Sequence, residues 1–313
     1  MVSDRNGLPF GVLTQNVVSS EGVWSSYQGD AVQIETEHLQ ELAQRVQWQA
    51  QQALGKPQVH IVDREGDAVE WLRACPNSLW LIRCRQNSTV SYEGQSYQVQ
   101  HLAKSLEFTK TSLLIDFKGK KAYQTVADVA VTLTRDAKPK RKVDGKPQII
   151  KGAALSARLI VSRIEDEQGQ CLASWYLLSN VADVQAQTLA CWYYWRWKIE
   201  CFFKLLKQQG LQLENWQQET ALAIAKRLLV ATQACILVWQ LQQQESPEAQ
   251  AFKYFLVRLS GRQMKKKSPI TTSALFEGIW IFLTAMDIFE RYSLDELAEF
   301  KRSASSFWES SVV

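Results

Sequence analysis

The segment CWYYWRWKIECFFKLLK, residues 191–207, decides how this chain is read. Placed on a helix at about 100° per residue, Tyr193, Arg196, Glu200 and Lys207 share one stripe about 60° wide. Trp192, Trp195, Ile199, Phe202, Phe203 and Leu206 form an apolar stripe beside it. An ordinary amphipathic helix with a charged surface has the same period. Here Glu200 sits at the edge of the apolar stripe rather than opposite it. Arg196 lies one turn away, close enough to orient the Glu200 carboxylate. The pattern predicts one long helix from about Val184 to Gln208, capped by Asp183 and stopped at Gly210.

Around this helix the composition is that of a folded protein. The 313 residues are 46% apolar and 22% charged, and the net charge is +4. With 14 Gly and 7 Pro the chain is neither collagenous nor low in complexity. A net charge of +4 permits a nucleic-acid partner without demanding one. The six cysteines form no C-x-x-C pair and there are three histidines, so no zinc site is expected. Reduced thiols and the lack of a signal peptide point to the cytoplasm. The longest apolar stretch, Leu228 to Leu241, is interrupted by Thr232, Gln233 and Gln240 and reads as too short for a bilayer, so no membrane partner is expected.

Working outward, the chain divides into four parts. Residues 1–85 begin with a turn at Asp4 to Gly7 and a strand from Pro9 to Val18. They continue as helix (Glu35–Leu54), strand (Gln58–Val62), short helix (Ala68–Cys75, capped by Asp67) and strand (Leu79–Cys84). That is an α/β pattern with a parallel pair. Residues 86–180 read as β-rich, with a hairpin around Glu93-Gly94 and four longer strands. They include a basic loop of Lys138, Lys140, Arg141 and Lys142. Residues 181–245 hold two long helices, and residues 246–313 are helical with a Lys265–Lys267 run.

A second motif, Val59-His-Ile-Val-Asp63-Arg64-Glu65-Gly66-Asp67, places Asp63 at the C-terminal end of a strand, where α/β sheets carry ligand sites. Tyr193-x2-Arg196-x3-Glu200-x6-Lys207 resembles the YREK signature of insertion-sequence DDE transposases of the fourth family. The Asp63 segment resembles that family's D-R-E-x-D box. The resemblance runs from Gly7 to about residue 285. It implies an α/β, RNase H-like core with an inserted β-rich subdomain and a helical C-terminal region. It also implies Asp63 and Glu200 as catalytic carboxylates and ligands of two Mg²⁺ ions, with Mn²⁺ a plausible substitute. Tyr193, Arg196 and Lys207 would hold a DNA phosphate, and Arg83 and Arg85 the DNA backbone. Trp175 would stack on a flipped base, and Lys140 and Arg141 lie in a loop suited to phosphates. The implied partners are double-stranded transposon ends and target, with a second copy of the chain in a synaptic dimer, in the nucleoid-associated cytoplasm.

The mechanism that the resemblance implies needs a third carboxylate. In the family it stands on a strand before the Gly7-Leu8-Pro9 hairpin, where this sequence has only Met1 to Asn6. Asp4 sits in a turn and is not assigned. The expectation is therefore a transposase lacking its first strands, which does not cleave DNA alone. The alternative is a non-catalytic DNA-binding or dimerising inhibitor of transposition. A stand-alone RNase H-like nuclease is a weaker third reading.

Overall fold

The computed structural model describes all residues except 21, 30, 31, 34–37, 53, 118, 119, 139–141, 144, 145, 148, 208–210, 264–269 and 311–313. In chain order the elements begin with β1 (Val2–Ser3), β2 (Pro9–Gly11), β3 (Asn16–Ser19), β4 (Gly22–Ser25), β5 (Val32–Gln33) and α1 (His38–Gln51). They continue with β6 (Val59–Val62), α2 (Val69–Ala74), β7 (Leu79–Arg83), β8 (Thr89–Tyr92), β9 (Gln95–Gln98) and α3 (Val99–Leu102). Next come β10 (Thr109–Phe117), β11 (Lys120–Leu133), β12 (Lys142–Val143), β13 (Lys146–Pro147), β14 (Leu155–Glu165) and β15 (Cys171–Ser179). Helices follow: α4 (Ala186–Trp195), α5 (Lys198–Lys207), α6 (Ala221–Gln243), α7 (Pro247–Leu259), α8 (Thr272–Arg291) and α9 (Leu294–Ser310). Two compact units result. One holds residues 5–7 and 14–198, the other residues 1–4, 8–13 and 199–313.

The first unit is mixed α/β. Its eight-stranded sheet runs β6-β7-β15-β14-β11-β8-β9, with β10 paired to β11. The expected parallel pair is β6–β7, joined through α2, in register Val59 with Leu79 to Val62 with Ile82. The other pairings are antiparallel, so the strands of the 86–180 block share one sheet with β6 and β7. The central strands are apolar on both faces because helices cover both. Leu81, Ile160 and Leu177 pack with Leu189, Ala190 and Tyr193 of α4. Their neighbours Ile82, Leu159 and Leu178 pack with Val46 of α1 and Leu72 of α2. Each such fully buried Leu or Ile contributes about 1.5–3 kcal/mol. The hairpin β8–β9 turns through Glu93 and Gly94, both at positive φ, as its sequence predicts.

Several local expectations change. The strand foreseen over Pro9 to Val18 is two strands, β2 and β3. The turn at Asp4 to Gly7 does join a strand pair, the two-residue β1 and β2. Asp67 does not cap α2, whose N-cap is Ala68. Asp183 does not cap α4, whose N-cap is Gln185. The long helix expected through residue 208 is broken into α4 and α5 at Arg196–Trp197. There the Arg196 and Trp197 N–H groups donate to the Tyr193 and Tyr194 carbonyls at 3.1 and 3.2 Å, a tighter i−3 pattern. The break is held by segment 5–7. Trp192 Nε1 donates to the Arg5 carbonyl at 2.8 Å, and Lys198 Nζ donates to the Gly7 carbonyl. Gly7 has φ +78°, and a Cβ there would stand 2.5 Å from the Trp195 ring.

The second unit is helical apart from the β1–β2 pair. Cys235 and Val238 of α6, Leu256 of α7 and Leu275 of α8 form its core with Leu206 of α5. Thr220, Ser246 and Thr271 cap α6, α7 and α8 through backbone N–H groups three residues on. Ala221–Gln243 and Thr272–Arg291 are long and apolar enough, by length and composition, to cross a membrane. The interrupting Thr232 and Gln233 do not end α6, so the Leu228–Leu241 stretch lies within a helix of 23 residues. Thr232 is buried and donates to the Leu228 carbonyl at 2.6 Å, so its hydroxyl is satisfied within the helix.

Candidate functional site

Asp63 follows the last residue of β6, and its carboxylate is one-third exposed. Oδ1 accepts from its neighbour Arg64 N–H at 2.8 Å and from the Tyr193 hydroxyl at 3.0 Å. Oδ2 lies 3.0 Å from Arg196 Nη2, and Arg83 Nη1 is 3.8 Å from Oδ1. Three elements supply this cluster. β7 lies parallel to β6 and ends on Arg83, α4 presents Tyr193, and the break after α4 presents Arg196. Tyr193 is buried in the apolar layer between sheet and helix, with only its hydroxyl reaching the carboxylate. The Arg196 guanidinium also lies 5.7 Å from the Tyr193 ring.

The electrostatics follow from the contacts. Partial burial pushes the Asp63 carboxyl up. The Arg64 N–H, the Tyr193 hydroxyl, Arg196 and Arg83 outweigh it and hold the carboxyl below its usual value. Burial, reinforced by the Asp63 charge, raises the Tyr193 phenol. At neutral pH the site is an ionised carboxylate with a neutral phenol and two guanidiniums. Arginine forks and a phenolic hydroxyl also suit a phosphate oxygen.

The remaining sequence-derived residues are placed as follows. Trp175 on β15 is half-buried, with ring centroids 6.5 Å from Tyr193 and 6.3 Å from Tyr194. Arg85 is exposed just beyond β7. Glu200 is in the first turn of α5 with an exposed side chain, and belongs to the helical unit. Lys207 of that unit pairs with Glu214 at 3.1 Å. Lys140, Arg141 and Lys265–Lys267 lie outside the described residues.

The residues gathered round Asp63 do not fit a two-metal centre. Both carboxylate oxygens are engaged, and the two nearest charged groups are cations that would repel a divalent ion. Among the described residues no group of three His, Cys, Asp or Glu side chains is placed to hold a metal.

Sequence reasoning missed a second polar cluster. The Asp67 side chain is 1% exposed; it pairs with Arg135, accepts from the Ser88 hydroxyl, and accepts from the Arg85 N–H at 2.9 Å. Arg135 is 68 residues away, beyond any local period; β11, which pairs with β8, leads to it, and Arg73 Nη2 donates to its carbonyl at 2.9 Å. No protein-family model matches the chain, and no curated protein matches it.

Proposed function

We propose that this chain is a DNA transposase polypeptide of the insertion-sequence DDE type, with an RNase H-like α/β unit, and that it grips DNA at the Asp63 site. One observation carries the reading. Two motifs singled out separately in the sequence, 130 residues apart, meet: Tyr193 and Arg196 of the YREK pattern both contact Asp63 of the D-R-E-x-D pattern. The transposition chemistry, phosphodiester cleavage and strand transfer on double-stranded DNA, comes from that resemblance alone, and the residues gathered at Asp63 do not by themselves supply it. The geometry itself gathers Arg83 and Arg196, groups that suit a phosphate, while the one Tyr193 O–H proton is given to Asp63.

The test is fluorescence anisotropy with duplex DNA carrying the ends of an inverted-repeat element. The full chain should bind. Arg196→Ala should weaken binding several-fold and lower the salt slope by about one. Absence of DNA binding would defeat the proposal.

A second reading, a non-catalytic inhibitor of transposition, is favoured by the cation-saturated state of Asp63. It expects DNA binding without nicking in magnesium buffer, and reduced transposition when the chain is co-expressed with an intact transposase. Nicking that disappears in Asp63→Ala or Glu200→Ala would rule it out.

A further inference from the structure

The Asp63 carboxylate takes the Arg196 guanidinium at 3.0 Å on Oδ2 and has Arg83 at 3.8 Å from Oδ1. Those two guanidiniums are the charged groups at the site that suit a phosphate. A carboxylate and a backbone phosphodiester are both monoanions that offer two oxygens to a guanidinium fork. They therefore compete for the same donors.

The two sides of this cluster are not equally fixed. Oδ1 accepts from the Arg64 backbone N–H at 2.8 Å and from the Tyr193 hydroxyl at 3.0 Å. Tyr193 is buried in the apolar layer between sheet and helix, so the carboxylate is tied to backbone and core. Arg83 and Arg196 are long, partly exposed side chains, at the end of β7 and at the break after α4. An exchange of partners thus moves the arginines and leaves Asp63 in place. A divalent cation at Asp63 would instead have to part both guanidiniums from the carboxylate and remain beside their charge.

We propose that Asp63 is a built-in competitor for DNA, an internal anion that holds Arg196 and Arg83 and that a backbone phosphate displaces from them. Asp63 is then a residue that positions and restrains two arginines, where the family resemblance implies a metal ligand. This rests on the reading that the chain binds DNA, and adds a restraint on that binding.

The experiment titrates fluorescein-labelled duplex DNA with the full chain, in EDTA and at several salt concentrations. Circular dichroism confirms that each variant folds. Asn at position 63 keeps an acceptor oxygen for the Arg64 N–H and Tyr193 but turns an NH₂ donor towards Arg196. Asp63→Asn should therefore tighten binding about three- to tenfold and steepen the salt slope by about one. Asp63→Glu keeps the charge and should stay nearer the wild type. Glu107→Gln removes the same charge from an exposed residue elsewhere and should give a smaller gain. In an Arg196→Gln background the gain from Asp63→Asn should shrink, because the guanidinium it releases is absent. Without DNA, electron paramagnetic resonance of free Mn²⁺ should show equal binding by the wild type and Asp63→Asn. A Mn²⁺ ion held by the wild type and lost in Asp63→Asn would overturn the proposal. So would a gain no larger than that of Glu107→Gln, or one undiminished without Arg196. DNA bound equally by the wild type and Asp63→Asn would overturn the restraint and leave the DNA-binding reading standing. DNA bound by neither would overturn both.

Discussion

Asp63 shows how one carboxylate can be read from sequence while its state is not. Its pKa lies below the usual value, so its contribution to stability is complete above the unfolded value of about 3.9. That contribution is lost as the pH falls through the lower folded value. Asp63→Asn removes it. In urea unfolding between about pH 5 and pH 2, the variant should therefore lose less stability than the wild type. Parallel curves would show that the contacts to Asp63 are not made in solution. Asp67 is the more costly residue to disturb. Arg135→Ala strands a buried carboxylate and should destabilise by about 3–5 kcal/mol. Asp67→Asn combined with Arg135→Met should cost less than Arg135→Ala alone, because no unpaired charge remains. Equal losses from the two would contradict this account.

At the scale of elements, two close approaches shape the helices. Gly278 of α8 passes so near α7 that a Cβ would stand 2.1 Å from the Leu256 carbonyl oxygen. In an isolated helix Gly→Ala gains about 1 kcal/mol. Here Gly278→Ala should instead cost about 1–3 kcal/mol, since both helices must part. Chemical denaturation decides the sign. Gly7 plays a similar part under Trp195, where its positive φ adds backbone strain for any side chain. Gly7→Ala should destabilise the break between α4 and α5, and the tryptophan fluorescence that reports on Trp195 should change with it. The break matters because it aims Arg196 at Asp63. On an unbroken helix Tyr193, Arg196 and Glu200 would share a stripe. As folded, Arg196 joins Tyr193 at one carboxylate while Glu200 lies beyond the break.

Over the whole molecule a net charge of +4 is a weak general attraction for DNA. Affinity on the proposed reading comes instead from local groups, Arg83 and Arg196 beside Asp63. The logarithm of the binding constant should fall with log salt by roughly 0.9 per phosphate neutralised. A slope that no arginine substitution at these points changes would place the DNA elsewhere. The helical unit carries a different surface. Leu229, Val230 and Leu237 of α6 and Trp280, Leu283 and Phe289 of α8 are exposed, beside the buried residues of the same helices.

The sequence was enough for the helix at α1, the long strands of the 86–180 block, the parallel β6–β7 pair, the hairpin at Glu93-Gly94 and the strand-end placement of Asp63. These depend on period, turn chemistry and short-range sterics, which act within a few residues. It also marked Tyr193 and Arg196 through a spacing. Long-range packing set the rest: both face Asp63, α4 and α5 separate, and Asp67 leaves helix capping for Arg135 and Ser88. Those outcomes depend on groups far apart in the chain: Gly7 beneath Trp195, Arg5 against Trp192, and β11 carrying Arg135 to Asp67. A buried carboxylate takes the strongest partner that packing brings within reach, and local sequence cannot show which partner that is.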